Sequence, residues 1–319
     1  VVDLDALVAG ARSGRPRDIA RLISLVENGA EAVPALMRAL AVSVGGARVV
    51  GITGSPGVGK STTTSALITA LRSRGQRVGV LAVDPSSPFS GGALLGDRIR
   101  MQEHATDDGV FIRSMASRGH LGGLSATTPQ ALRVLEAAGF DVVLIETVGV
   151  GQSEVEVAAA ADTTLVLLAP GMGDGIQAAK AGILEVGDIF VVNKADRDGA
   201  DSTVRELRNM TALGDRAAGG WVPPVLKTVA STRAGITELV EAIDRHAAWL
   251  AESGELDVRR VKRARDEVEA IALGMLKQRM ETGHRSVRFE QVAADVAVGR
   301  SDAYSAADML VNDLLDGSP

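Results

Sequence analysis

Gly54-Ser55-Pro56-Gly57-Val58-Gly59-Lys60-Ser61 sets a lysine and a hydroxyl directly behind a glycine-rich run. The spacing fits G-x-x-x-x-G-K-[ST], a loop that cradles phosphates. Glycines let backbone N–H groups turn inward around phosphate oxygens. A helix starting there adds the positive end of its dipole. Lys60 would reach the β- and γ-phosphates, and the Ser61 hydroxyl would hold Mg²⁺. The candidate phosphate-binding residues are Gly54, Ser55, Pro56, Gly57, Val58, Gly59, Lys60, Ser61 and Thr62.

A second stretch, Asn193-Lys194-Ala195-Asp196, matches N-K-x-D and points to the base. A carboxylate at Asp196 can accept from both N1–H and the 2-amino group of guanine. Adenine offers neither donor, so the carboxylate would be left unpaired, which is costly. The Asn193 amide is expected to pair with the purine edge, and the Lys194 stem to lie on the ring face. Ser231, past the last candidate strand, is placed with the nucleotide-binding residues. GTP or GDP with Mg²⁺ is therefore the expected ligand set.

Two carboxylates close candidate strands, Asp84 and Glu146. Hard oxygens suit Mg²⁺, so both join Ser61 as candidate metal ligands. The alternative for either is an N-cap on the following turn. Glu146-Thr-Val-Gly149 stands where many GTPases carry D-x-x-G, and the longer Glu is expected to act through a water. Gly149 would offer its N–H to the γ-phosphate. Between them a serine- and glycine-dense stretch, 86–96, leads into Asp97 and Arg100 and reads as a switch. Asp97 would orient water or Mg²⁺, and Arg100 would pair with a carboxylate or phosphate. The catalytic candidates are Lys60, Asp97, Arg100 and Glu146. Gln152 lies three residues past Gly149 and receives no water-orienting role. A second glycine loop carries Asp174, Gln177 and Lys180; it reads as a partner-contacting switch or a plain connection. His104, His120, His246 and His284 are scattered without paired ligand spacing and read as surface or packed residues.

These residues need a scaffold that delivers them to one edge. Apolar runs at 48–53, 77–83, 110–113, 141–146, 163–169, 188–193 and 225–228 read as strands. Helical periodicity falls between them at 61–74, 128–138, 152–160, 175–184, 201–213 and 235–250. Alternation of this kind predicts an α/β fold with a mainly parallel sheet covered by helices. Ligands then bind beyond the carboxyl ends of the strands, where every motif above falls. Residues 1–44 read as a helical extension packed on this 45–250 domain. Residues 251–319 read as a helical arm, opening on Arg259-Arg-Val-Lys-Arg-Ala-Arg265. Val261, Ala264, Val268, Ile271 and Met275 recur as in a paired-helix seam. Gly283 is expected to break that helix, with a second helix near 303–315.

Composition narrows the function class. Net charge is −6, which recruits neither nucleic acid nor anionic membrane. Aromatic residues are 3%, too few for base-stacking platforms. The chain has no cysteine, so disulfides and zinc-thiolate sites are excluded. The start Val-Val-Asp-Leu-Asp lacks a basic signal-peptide opening, and a cytoplasmic location is expected.

Together these stretches resemble the MeaB/MMAA/ArgK family, the methylmalonyl-CoA mutase-associated GTPases. The resemblance rests on 54–62, 83–88, 91–101, 146–154 and 193–196. It implies the fold class shared with signal-recognition-particle and metallochaperone GTPases, and a homodimer through the C-terminal arm. It implies a partner, the adenosylcobalamin-dependent methylmalonyl-CoA mutase, protected and reloaded with cofactor under GTP control. In that family Glu146 is the normal residue, and Asp84, Asp97, Arg100 and 171–180 match metal-site and switch positions. Rival readings are a GTPase metallochaperone, a slow regulatory GTP-binding module and an ATP-dependent kinase. Scattered histidines argue against nickel insertion, and Asp196 argues against the kinase.

Overall fold

Seven runs rich in Val, Ile and Leu form one sheet. They are β1 (Arg48–Gly54), β2 (Val78–Asp84), β3 (Val110–Ala116), β4 (Val142–Thr147), β5 (Thr163–Leu168), β6 (Ile189–Val192) and β7 (Val225–Lys227). Their order is β3-β2-β4-β1-β5-β6-β7, and every pairing is parallel. The computed structural model describes residues 3–41, 46–84, 102–116, 127–147, 153–171, 184–212, 220–281 and 284–315. The chain divides into two compact units, Val1–Arg259 and Arg260–Pro319.

Strands buried on both faces read as unbroken apolar runs, which is why the sheet was legible. Alternate residues serve opposite faces. Val49, Leu81, Val83, Val143 and Ile145 point into one core, against α1 (Leu4–Arg12), α2 (Pro16–Glu27), α3 (Val33–Leu40), α5 (Thr128–Ala137) and α6 (Ser153–Ala160). Val50, Ile52, Val80, Val142 and Leu144 point into the other, against α4 (Lys60–Ser73) and α8 (Ile236–Ser253). α7 (Ala200–Ala212) seals β5–β7 through Ala200, Val204 and Leu207. The helices before β1 share the first core. In α2 the buried residues are Ile19, Leu22, Ile23 and Val26, which recur at helical spacing.

Each expected strand is present, and β3 runs on to Ala116. The expected helix at 175–184 lies outside the described residues, apart from the turn Leu184–Val186. Two expectations need correction. The arm's first helix, α9 (Glu255–Glu281), begins at Glu255 rather than Arg259, because Gly254 caps α8 and the chain re-enters helix at once. A further helix, α10 (His284–Ala297), precedes α11 (Ala303–Leu315). The apolar stripe of α10 is too thin to stand out: Val292 is buried while Phe289 is exposed. No helix among the described residues is long and apolar enough to cross a membrane.

The root of α9 is fastened to the amino end of the sheet. Arg259 Nη1 and Nη2 donate to the two carboxylate oxygens of Asp188 at 3.0 Å each. Nη1 also donates to Asp162 O at 2.9 Å. Asp188 further accepts from Thr164 N at 2.8 Å, and His246 Nε2 lies 3.3 Å away. His246 is fully buried and shares a three-ring cluster with Trp221 and Trp249. Burial alone would push the Asp188 carboxyl up. The neighbouring His246 and Arg259 outweigh it and hold the group below its ordinary range. A carboxyl depressed on folding stabilises the protein above its unfolded pKa of about 3.9, and that stabilisation fades as pH falls through the folded value. Asp188→Asn should cost about 3 kcal/mol at pH 7, since it strips the partner from a buried pair. Its deficit should shrink below about pH 4. Urea unfolding at both pH values checks this; a deficit unchanged by acid removes Asp188 as the responsible group.

Candidate functional site

β1 ends at Gly54 and α4 begins at Lys60, so residues 55–59 form the loop between them. Gly54 has φ +138°, and Gly59, the N-cap of α4, has φ +96°. A Cβ at Gly54 would stand 2.2 Å from Leu167 O, and one at Gly59 2.4 Å from Asn193 Nδ2. Both positions therefore require glycine for space as well as conformation. With no side-chain cap at Gly59, the first N–H groups of α4 face the loop, an anion-binding arrangement. The buried Lys60 ammonium lies within the same loop, donating to Gly54 O at 2.7 Å and Ser55 O at 3.2 Å.

The first turns of α4 meet β4. Ile52 and Glu146 are register partners on adjacent strands, which brings the carboxylate beside the loop. Glu146 Oε1 accepts from Ser61 Oγ at 2.6 Å, and Oε2 accepts from Thr64 Oγ1 at 2.9 Å. All three side chains are buried. One turn on, Ser65 donates to Glu103 and lies 3.0 Å from His104 Nε2. The Ser65 hydroxyl is the main reason the Glu103 carboxyl sits below its usual range, with His104 and Arg233 adding to it. Glu103 Oε2 in turn lies 3.8 Å from Arg233 Nη2.

On the base side, β6 ends at Val192 and the next four residues form the loop Asn193–Asp196. Asn193 is anchored within the protein through its carboxamide. Its Nδ2 donates to Val58 O at 2.8 Å, and its Oδ1 accepts from Thr228 Oγ1 at 3.1 Å and Ala230 N at 3.0 Å. The carboxamide is buried and serves as a joint between three segments. Lys194, held at φ +57°, sends Nζ across to Gly57 O at 2.6 Å, so its stem spans the mouth of the loop. Asp196 is exposed. Ser231 is exposed too, in the turn closed by the Val229–Ala234 bridge and hung from Asn193 through Ala230.

The structure thus gathers residues 54–61, Glu146, Asn193 and Lys194 at the carboxyl edge of the sheet, with Asp196 and Ser231 on the adjoining turns. Thr62 is exposed on α4. Asp84 closes β2 at the same edge. Asp97, Arg100 and Gly149 lie outside the described residues, as do Asp174, Gln177 and Lys180. Sequence reading missed Thr64, Ser65, Thr228 and Ala230. Thr64 and Ser65 follow Ser61 at helical spacing, and that periodicity was the available signal.

Among the described residues no cluster of three or more His, Cys, Asp or Glu could hold a metal alone. The donor set still fits Mg²⁺, which binds through one or two protein oxygens and completes its shell with phosphates and water. Ser61 Oγ, with Glu146 behind it, supplies such oxygens beside the phosphate loop.

The family model described as methylmalonyl-CoA mutase-associated GTPase MeaB matches residues 19–285. A protein of Pyrococcus abyssi named as a GTPase is 48% identical over 98% of both chains. GTPase ArgK of Escherichia coli is 41% identical over 77% of this chain and 76% of its own. The mitochondrial methylmalonic aciduria type A homolog of Mus musculus is 42% identical over 66% of this chain and 52% of its own. Among solved structures, one described as LAO/AO transport system kinase covers 99% of both chains with TM-score 0.73 and 26% identity. With the phosphate loop, the guanine motif and the parallel sheet in place, the chain belongs to the MeaB family of methylmalonyl-CoA mutase-associated GTPases.

Proposed function

We propose that this GTPase binds GTP with Mg²⁺, hydrolyses it to GDP and phosphate, and through that cycle protects and reloads the cofactor of an adenosylcobalamin-dependent methylmalonyl-CoA mutase. One observation carries the nucleotide reading: the Asn193 carboxamide joins the phosphate loop to the N-K-x-D loop, so one ligand can span both. The mutase reading is supported by the family.

Each residue has a defined task. The N–H groups of 57–61 and the Lys60 ammonium hold the β- and γ-phosphates. Ser61 would ligate Mg²⁺, whose charge neutralises the phosphate oxygens. Glu146 accepts a hydrogen bond from Ser61 and holds that hydroxyl in place. The Lys194 stem lies under the base, and Asp196 accepts from N1–H and the 2-amino group of guanine. Ser231 borders the same pocket. Asp97 and Arg100 orient the attacking water and the transferring phosphoryl group, while Gly149 N–H meets the γ-phosphate. Water's oxygen bonds to the γ-phosphorus as the bond to the β–γ bridging oxygen breaks.

The arm supports a homodimer. Val261, Val268, Ile271 and Met275 are 43–68% exposed along α9, at spacings of seven, three and four. Among the described residues nothing covers this stripe on the 27-residue helix, as expected of a seam that a second chain would close.

Three outcomes test these readings. Asp196→Asn should lose GTP affinity by one to two orders of magnitude, about 1–3 kcal/mol, and gain affinity for xanthosine triphosphate. Xanthine's 2-oxo group accepts what the Asn amide donates. Competition binding reads this, and an unchanged GTP preference removes Asp196 from the base site. Replacing Val268 and Ile271 together by glutamate should give a folded monomer that binds GTP. Light scattering showing a dimer contradicts the seam. Adding the mutase holoenzyme should raise GTP turnover in a phosphate-release assay, and an unaltered rate overturns the partner.

A further inference from the structure

We infer that Thr64 is a positioning residue that sets the Ser61 hydroxyl for a divalent cation, acting through Glu146. The inference rests on the reading of Ser61 as the Mg²⁺ ligand. Ser61 and Thr64 stand three residues apart on α4 and so share one face. The Glu146 carboxylate bridges them, Oε1 to Ser61 at 2.6 Å and Oε2 to Thr64 at 2.9 Å. The three side chains are 5%, 0% and 3% exposed.

A hydroxyl has one proton and two lone pairs. When the Ser61 proton is committed to Glu146, the lone pairs of the hydroxyl point away from the carboxylate, the side from which a cation would be ligated. A serine in a helix has a competing choice, the carbonyl four residues back. Thr64 shows that choice directly: its Oγ1 is 3.0 Å from Lys60 O as well as 2.9 Å from Glu146 Oε2. Its branched side chain is stiff at χ1, and its hydroxyl is referenced to the helix backbone. With its single proton on Glu146 Oε2, Thr64 fixes one oxygen of the carboxylate, and a carboxylate gripped at both oxygens is held against rotation. The side-chain length also matches. Glutamate spans the gap between two hydroxyls one turn apart; aspartate, one methylene shorter, reaches less far. Thr64 and Glu146 form a length-matched pair behind the metal-binding hydroxyl.

Partners behind a metal ligand typically contribute about 10–100-fold in metal affinity. The test uses the full-length protein bound to GDP, titrated with Mg²⁺ in a calorimeter. GDP affinity in EDTA and the thermal midpoint are measured alongside. Thr64→Val keeps the shape and removes the hydroxyl; Thr64→Ser restores it. The valine variant should bind Mg²⁺ about tenfold more weakly, with GDP affinity in EDTA unchanged and the serine variant close to the parent. Thr64→Ala repeats the test where the valine variant does not fold. Parental Mg²⁺ affinity in the variants overturns the inference. So does an equal loss of GDP affinity in EDTA, which marks a structural role. If the parent protein itself shows no Mg²⁺ dependence, the Ser61 reading fails and takes this inference with it.

Discussion

The carboxamide of Asn193 is the joint on which the nucleotide site depends. Buried between the sheet and the phosphate loop, it donates to Val58 O and accepts from Thr228 and Ala230. Losing a partner there leaves a buried polar atom unsatisfied, at a cost of about 1–3 kcal/mol. The same contact explains Gly59. Asn193 Nδ2 stands 2.4 Å from where a Cβ would be, so the base motif itself demands glycine in the phosphate motif. Two motifs far apart in sequence are therefore one packed feature. Lys194 repeats the link from the exposed side, through Gly57 O.

α4 carries a second set of constraints along one rail. Ser61 and Thr64 hold Glu146 of β4, and Ser65 holds Glu103 and His104. Three polar anchors on a helix otherwise packed by Ala66, Leu67 and Ile68 would be costly to bury alone. Each is matched by an acceptor, which fixes the rotation of the helix about its axis. That rotation decides where Lys60 points, since it is the first residue of the same helix.

Much of the fold was legible because parallel strands buried on both faces are apolar without interruption. The two nucleotide motifs were legible because glycine spacing and a four-residue pattern report local backbone needs. The rest depends on contacts between distant positions. Nothing local shows that Asn193 turns inward, since the same residue could face a base. Nothing local pairs Thr64 with Glu146 or Arg259 with Asp188; those are products of strand order and helix packing. α10 escaped notice because few of its residues are buried, so its periodicity is faint.

β6 brings these observations together. It has only four residues, Ile189–Val192, all buried, with Asp188 before it and Asn193 after it. At one end the Asp188 carboxylate is gripped by Arg259 and Thr164, with His246 alongside. At the other the Asn193 carboxamide is gripped by Val58, Thr228 and Ala230. A short strand with a satisfied polar group at each end has little freedom to slide in register, because sliding would break buried hydrogen bonds at both ends together. The loop Asn193–Asp196 is therefore set on a fixed ruler between the root of α9 and the phosphate loop. Asp196 needs only to extend from that ruler, which is why it can be exposed and still hold a defined place.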